Sequence, residues 1–89
     1  MKFQVVHQPL ILRTDYISED GKIRLVKDDS ACVSTRYAAA IQICGIAVVQ
    51  FGATPQAAVA DLKAEALRVA SSLRDIAEKC DASTITMED

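Results

Sequence analysis

The sequence contains little of what catalytic and nucleic-acid-binding sites are usually made of. Its 89 residues include one histidine, three glycines, two tyrosines, two phenylalanines and no tryptophan. So few aromatic side chains provide no stacking platform for single-stranded nucleic acid. Gly45 and Gly52 are too far apart to form a loop that cradles phosphate. His7, without a second histidine or a matched cysteine, predicts neither a metal ligand nor a catalytic base.

Long hydrophobic runs are also missing. No run reaches the ~18 apolar residues of a membrane span, and the residues after Met1 alternate in polarity, unlike a signal peptide. The three cysteines lack close spacing, which is typical of reduced thiols in the cytosol. We therefore expect a cytoplasmic protein in which Cys44 and Cys80 are small buried hydrophobes, while Cys32, in a polar loop, is the most reactive thiol.

Length and charge set further bounds. A chain of this size predicts a single domain over residues 1–89, with a sheet in 3–51, a helix in 55–79 and a tail in 81–89. The net charge of −2 argues against broad nucleic-acid binding and favours a basic partner, if the partner is charged. The tail contains a possible short extra strand.

The first part of the chain has strand character. Residues 3–17 are rich in β-branched and aromatic types and predict a strand at a sheet edge, broken or bulged near Pro9. The turn residues Ser18–Gly21 lead into an alternating segment, Lys22–Lys27. Together these features predict a β-hairpin over residues 10–27.

Two more strands are expected, in Ser34–Ile43 and Ile46–Phe51, with a tight turn at Cys44–Gly45 between them. Both segments are apolar on both faces, so we expect them in the middle of the sheet with one face under a helix. A single helix covers only one face of a sheet. The other face therefore predicts a partner subunit or a partner protein.

The sharpest pattern lies in the predicted helix. Thr54 is a good N-cap and Pro55 suits the first helical position. Apolar residues then recur at alternating spacings of three and four, and we call them the helix stripe: Val59, Leu62, Ala66, Val69, Leu73, Ile76 and Cys80. Such a stripe must be buried against something. It packs either wholly on its own sheet or partly on a second subunit.

A helix over residues 55–79 is roughly 37 Å long, which exceeds the width of a small four-stranded sheet. Its last turns should project, and Val69, Leu73 and Ile76 are the predicted homodimer interface. The resulting fold class is α+β: a three- to four-stranded, mostly antiparallel sheet followed by one long C-terminal helix packed on it.

Basic residues cluster on the predicted hairpin and the strand after it. We call these five residues the basic strip: Arg13, Lys22, Arg24, Lys27 and Arg36. An exposed edge strand with charges around it can bind another chain, so the strip is the predicted partner-binding site. Two alternatives remain: a solvated hairpin face that blunts an edge strand, or a surface for nucleic acid.

Over about residues 10–80 the chain resembles a known family. A strand hairpin, a glycine, a short strand and a Gly-x-Thr-x-x-(Glu/Gln)-Ala entry into a helix resemble the HicB-like antitoxin domain, which has a partial ribonuclease-H-like fold. The matching residues are Tyr37 to Ile43, Gly45, Val48, Gly52, Thr54, Gln56, Ala57, Ala58 and Ala66. The resemblance implies a domain without catalysis of its own that masks a small basic RNA-cleaving toxin. A DNA-binding segment of the family has no counterpart in this sequence, which favours an inhibitor or adaptor.

We therefore expect a non-enzymatic protein-binding module, an antitoxin or small inhibitor that masks a toxin-like partner as a homodimer. The alternatives are a small virus-encoded inhibitor of a host defence complex and a nucleic-acid-binding regulator that uses the basic strip. Asp28-Asp29 lacks the further oxygen ligands of a cation site. The sequence predicts no catalytic residue, cofactor or metal.

Overall fold

The computed structural model describes residues 1–88, without the side chains of His7, Pro9 and Leu10. Its main elements are β1 (Phe3–Leu10), β2 (Arg13–Ser18), β3 (Ile23–Asp28), β4 (Tyr37–Ile43), β5 (Ile46–Gly52) and α1 (Pro55–Lys79). Each strand pairs antiparallel with the next one in the chain, so the order in the sheet is the order in the sequence. The predicted α+β class is confirmed, with five strands in place of three to four.

The additional strand comes from residues 3–17, which the sequence predicted as one strand. The chain reverses at Ile11–Leu12 and forms β1 and β2 on either side. A break near Pro9 was predicted, but the reversal at Ile11–Leu12 was not, because two apolar residues carry none of the usual turn chemistry. Strand β1 does lie at an edge, and its register shifts between His7 and Leu10, so the predicted irregularity near Pro9 is confirmed.

The β2–β3 hairpin is held by a small hydrogen-bond network. The buried Ser18 hydroxyl donates to the Asp20 carboxylate at 2.6 Å and accepts from the backbone N–H of Ile23 at 3.0 Å. The Ser18 hydroxyl and the backbone N–H of Lys22 hold the pKa of Asp20 below its usual value. Gly21 completes the turn with φ +74°. The predicted hairpin is confirmed, but β2 and β3 lie inside the sheet.

Strands β4 and β5 are joined by the predicted tight turn. Ile43 pairs with Ile46, which leaves Cys44 and Gly45 as the two turn residues, with φ of +50° and +77°. Positive φ at both positions is the signature of a type I′ turn, whose twist matches that of the flanking strands. Glycine adopts this backbone freely, but cysteine does so at a cost in free energy.

This turn generates a stability prediction. Because asparagine tolerates the left-handed region better than cysteine, Cys44→Asn should raise the free energy of unfolding by roughly 0.5–1 kcal/mol. Thermal unfolding followed by circular dichroism measures the change. Cys44→Val, with a β-branched side chain at the same position, should lower the melting temperature instead. Equal or reversed effects of the two variants would contradict the type I′ assignment.

Helix α1 begins and ends where the sequence predicts. The Thr54 hydroxyl accepts a hydrogen bond from the backbone N–H of Ala57 at 3.1 Å, and Pro55 occupies the first turn. The helix lies over β4 and β5. Strand β5 is therefore covered, but it is an edge strand and not a central one, because sheet order follows chain order. The buried core consists of Leu25, Ala39, Val48, Ala58 and Leu62.

The helix approaches the sheet closely at the end of β5. A Cβ atom added to the buried Gly52 would lie 2.6 Å from the backbone nitrogen of Ala58. Real Cβ atoms do not come so close to a backbone atom, so any side chain here must push the helix away. Gly52 therefore sets the distance between β5 and the first turn of α1.

We expect Gly52→Ala to lower the free energy of unfolding by about 1–3 kcal/mol, since the first turn of α1 must shift to admit a methyl group. Chemical denaturation of the variant and the parent chain measures this difference. Ala53→Ser, one residue further along at an exposed position, is the control and should unfold at the parent's midpoint. An unchanged midpoint for Gly52→Ala would show that the contact is not tight.

The far end of α1 extends beyond the sheet. Every residue from 70 to 79 is exposed, and the molecule measures 57 Å along its longest axis against 28 and 24 Å along the others. The tail continues through a short 3-10 turn at Ala82–Thr84, and residues 81–88 contain no strand. Cys80 at the helix end and Cys44 in the turn are both exposed, so their predicted burial was wrong.

Candidate functional site

The sheet has two faces of different character. Residues that pair across antiparallel strands share a face, and the side bearing Leu25, Ala39 and Val48 packs against α1. We call this side the inner face and the opposite side the outer face. The central side chains of the outer face are Ile17, Arg24, Val26, Ala38, Ala40, Val49 and Phe51.

Within residues 1–88, no helix or strand covers the outer face. Val49 and Phe51 are 45% and 54% exposed, Arg24 is exposed as well, and the apolar side chains nearer the middle are half-buried. An apolar sheet face that remains open to solvent is typical of an interaction surface.

Arg24 lies near the middle of this apolar surface. Its cross-strand neighbours are Ile17 on β2 and Ala40 on β4. In the described part of the chain no carboxylate forms an ion pair with its guanidinium. On one side Arg24 borders a groove of about 370 Å³ whose lining includes Val26 and Ala38, and also Asp15, which is paired with Arg13. An unpaired cation surrounded by small and β-branched apolar side chains is therefore the distinctive feature of the outer face.

A second cation of the basic strip lies beside Arg24. Lys22 and Arg24 together line a groove of about 540 Å³ on the other side, with Ala40, Ala47 and Val49 among its apolar lining. No described carboxylate lies within ion-pair distance of the Lys22 ammonium. This groove thus presents two cations next to an apolar wall.

The remaining residues of the basic strip lie elsewhere or have partners. Arg13 contacts Asp15 at 3.3 Å between Nε and Oδ1. Lys27 points to the inner face and contacts Asp29 at 3.6 Å between Nζ and Oδ1. Arg36 precedes β4, and its Nε is buried without a hydrogen-bond partner among the described residues. The basic strip is not continuous in the structure: Arg24 shares one groove with Lys22 and the other with Arg13, whose charge is paired with Asp15.

The premise of an exposed hairpin edge was also wrong. Strand β2 pairs with β1, and β3 pairs with β4, so the backbone on both sides of the hairpin is already bonded within the sheet. The free edges belong to β1 and β5. A partner that binds at the hairpin must therefore contact side chains on the inner or outer face of the sheet and cannot pair with the hairpin backbone. The partner-binding role of the basic strip stays a prediction.

Carboxylates frame the hairpin at both ends. Asp28 accepts hydrogen bonds from the hydroxyl and the backbone N–H of Ser30, and these hold the pKa of Asp28 below its usual value. Asp20 is engaged in the same way by Ser18 and Lys22 at the opposite turn. Both side chains are occupied locally and remain ionised near neutral pH, without pairing with Arg24.

The projecting end of α1 forms a second uncovered surface. We call residues 67–79 the projecting half. The predicted dimer residues lie along it: Leu73 and Ile76 are 48% and 61% exposed, and Val69 is half-buried near the core. Leu67 adds a further exposed apolar side chain, at 62%. The dimer role of Val69, Leu73 and Ile76 stays a prediction.

Ionisable side chains do not converge elsewhere. Among the described residues, no group of three or more His, Cys, Asp or Glu side chains lies close enough to hold a metal ion. The prediction for His7 concerns a side chain outside the described part of the structure. Cys32 is exposed, as are the other two cysteines.

The apolar surroundings of Arg24 were missed by sequence reasoning. Ile17, Val26 and Val49 belong to three different strands, and only the pairing register brings them to one face. The alternation within each strand was visible, but the register that aligns the strands was not.

Comparisons with other proteins leave the family open. Within residues 1–88, no helix combines the length and the apolar character needed to cross a membrane. The resemblance to HicB-like antitoxins stays a prediction. A scan against protein-family models and searches of curated proteins and of solved structures find no match to this chain.

Proposed function

We propose that this chain is a non-enzymatic protein-binding module that masks a partner protein, as an antitoxin or a small inhibitor does. In this proposal the outer face contacts the partner, and the projecting half of α1 joins two copies into a homodimer. The observation that carries the proposal is Arg24, whose guanidinium pairs with no carboxylate among the described residues and lies near the centre of an apolar sheet face that no element within residues 1–88 covers.

This arrangement has the character of an interface hot spot. Arginine is enriched among the few residues that dominate binding energy, and such residues lie near the centre of an interface within apolar surroundings that exclude water. A carboxylate that meets Arg24 here would be desolvated together with it, so the charge pair would have a strong effect on specificity. Side chains of low conformational entropy around it, such as Ala38 and Ala40, lose little freedom on binding.

The outer face also defines the chemistry of the partner. An acidic side chain flanked by apolar ones complements Arg24, Lys22 and the apolar lining of Ala40 and Val49. The partner surface is therefore acidic at this contact, whatever its overall charge. The overall charge of −2 on this chain is compatible with a basic partner elsewhere on the same interface.

A nucleic-acid-binding role receives less support from the same geometry. Phosphate-backbone recognition uses several cations along one continuous path. Here Arg13 and Lys27 contact carboxylates and point to opposite faces of the sheet. Lys22 and Arg24 remain together on one groove. Two cations favour contact with one acidic side chain of a protein over binding along a phosphate backbone.

The charge at Arg24 provides the test of partner binding. The partner is first captured from a lysate of the native host on the immobilised chain and identified by mass spectrometry. Its dissociation constant is then measured by calorimetry with the parent chain and with Arg24→Glu. We expect the variant to bind more than tenfold more weakly, about 1.4 kcal/mol, because two carboxylates would then face each other.

Arg74→Glu, an equal charge reversal at an exposed position on the projecting half, is the matched control and should change affinity by less than threefold. Both variants should melt within a few degrees of the parent. If Arg74→Glu abolishes binding and Arg24→Glu does not, the partner docks on the helix and the outer face has no such role.

Dimerisation through the projecting half has its own test. Leu73→Asp places a charge in the proposed contact, where burial without a partner is costly, and sedimentation at micromolar concentration should detect the monomer. Ser71→Asp introduces the same charge on the opposite side of α1 and should leave the dimer intact. A parent chain that sediments only as a 9.6 kDa monomer would refute the homodimer.

A further inference from the structure

The sheet is too wide for one helix. Five strands at ~4.8 Å spacing span about 19 Å from first to last, whereas a packed helix occupies about 10 Å. Helix α1 lies over β4 and β5, at one side of the inner face. On the other side of the same face, β1 and β2 make no comparable contact with α1.

The uncovered side of the inner face is apolar. Val5 pairs with Tyr16 and Phe3 pairs with Ser18, so Phe3, Val5 and Tyr16 lie on the inner face, and we call these three residues the open half. Val5 is 61% exposed, while Phe3 and Tyr16 are only partly buried at the margin of the core. A groove of about 400 Å³ runs between Phe3 and the start of α1, where it contacts Val59 among others.

The total exposed area indicates how much surface remains to be covered. The chain exposes 6924 Å², whereas a compact monomer of this mass exposes about 5,100 Å². The radius of gyration of 17.6 Å likewise exceeds the ~12 Å expected for 89 residues. The excess, roughly 1,800 Å² per chain, is more than the ~800 Å² that each partner buries in a standard interface.

We propose that the projecting half of α1 from a second copy lies on the open half of the inner face, and that the exchange is reciprocal. This inference rests on the proposed homodimer and specifies what the helix contacts in it. One chain carries both an exposed apolar helix segment and, on β1 and β2, an apolar seat that its own helix leaves partly exposed. A two-fold axis buries both surfaces of both copies at once, because an isologous interface pairs each surface with its complement.

In this arrangement each five-stranded sheet is covered by two helices, its own over β4 and β5 and the partner's over β1 and β2. Leu73 and Ile76 of one copy contact Val5 and Tyr16 of the other. Leu62 is the last fully buried residue of α1. A single interface with a second copy buries both the helix stripe beyond Leu62 and the open half. An unrelated partner would have to provide a separate complement for each.

Crosslinking tests which surface the projecting half contacts. In a chain with its three native cysteines replaced by serine, Val5→Cys and Leu73→Cys are made separately, and the two proteins are unfolded, mixed and refolded to exchange subunits. A short bismaleimide should link one variant to the other, while each variant alone should link much less. Efficient linking of Leu73→Cys to itself, without the mixed product, would mean that the two helices pair with each other and would overturn the inference.

Charge substitutions on neighbouring residues of β1 give an independent test. Val5 and Val6 are similarly exposed, at 61% and 58%, but Val6 borders a groove of the outer face. Val5→Asp should weaken the dimer more than tenfold in sedimentation, and Val6→Asp should leave it within twofold. Equal effects of the two variants would overturn the inference, with circular dichroism showing that both are folded.

The two tests separate this inference from the proposed function. If the dimer persists in Val5→Asp but is lost in Leu73→Asp, the proposed homodimer stands, but the open half is not the surface that the projecting half contacts. If the parent chain stays monomeric, both the homodimer and its proposed seat are rejected, whereas partner binding by the outer face is decided separately by Arg24→Glu. Should Val5→Asp fail to fold, the mixed crosslink still decides, because it requires only a cysteine at each position.

Discussion

The close packing of α1 on β5 and β4 is the contact on which the rest of the structure depends. Gly52 and Ala58 bring the backbones of strand and helix together, and Ala39 and Leu62 fill the space beyond them. Small residues allow a short distance between helix and sheet but bury little apolar area for each residue. The core therefore contains few large side chains, and much apolar surface is left over. The open outer face, the open half of the inner face and the projecting half are three results of this single arrangement.

The elements with local signals were predicted from the sequence. The N-cap Thr54, the following Pro55 and the helix stripe lie within one continuous segment, so the bounds of α1 follow from neighbouring residues alone. The turn at Cys44–Gly45 was equally local. The reversal at Ile11–Leu12 was missed because neither residue is typical of a turn, and its position depends on pairing with the rest of the sheet.

The candidate site was harder to predict, since it depends on register and on faces. Arg24 and Lys27 are three residues apart in one strand, so alternation alone places them on opposite faces, and the sequence contained that information. Apart from Val26, the apolar residues around Arg24 come from other strands, and their alignment required the observed pairing. Cys80 follows the spacing of the helix stripe but lies beyond the end of the sheet, so pattern alone could not show what it contacts.

Electrostatics divides the molecule into unlike surfaces. Several surface ions have local partners, as in the contacts of Glu65 with Arg68 and of Arg13 with Asp15. Exposed pairs of this kind contribute little to stability, but they neutralise charges that would otherwise attract unrelated molecules. Against this background Arg24 and Lys22 are the cations that remain available on the outer face, so a small number of charges can determine which partner is selected.

The strand order has a kinetic consequence. Because each strand pairs with the one before it in sequence, the sheet can form by adding one hairpin after another, and little chain entropy is lost at each closure. Helix α1 packs on the two strands that immediately precede it, so its docking also requires only a short loop. During synthesis β1 and β2 leave the ribosome before α1, which in any case packs on β4 and β5. The apolar side chains on these two strands therefore stay exposed on the nascent chain while β3, β4, β5 and α1 are made, which makes them a site of possible aggregation during synthesis.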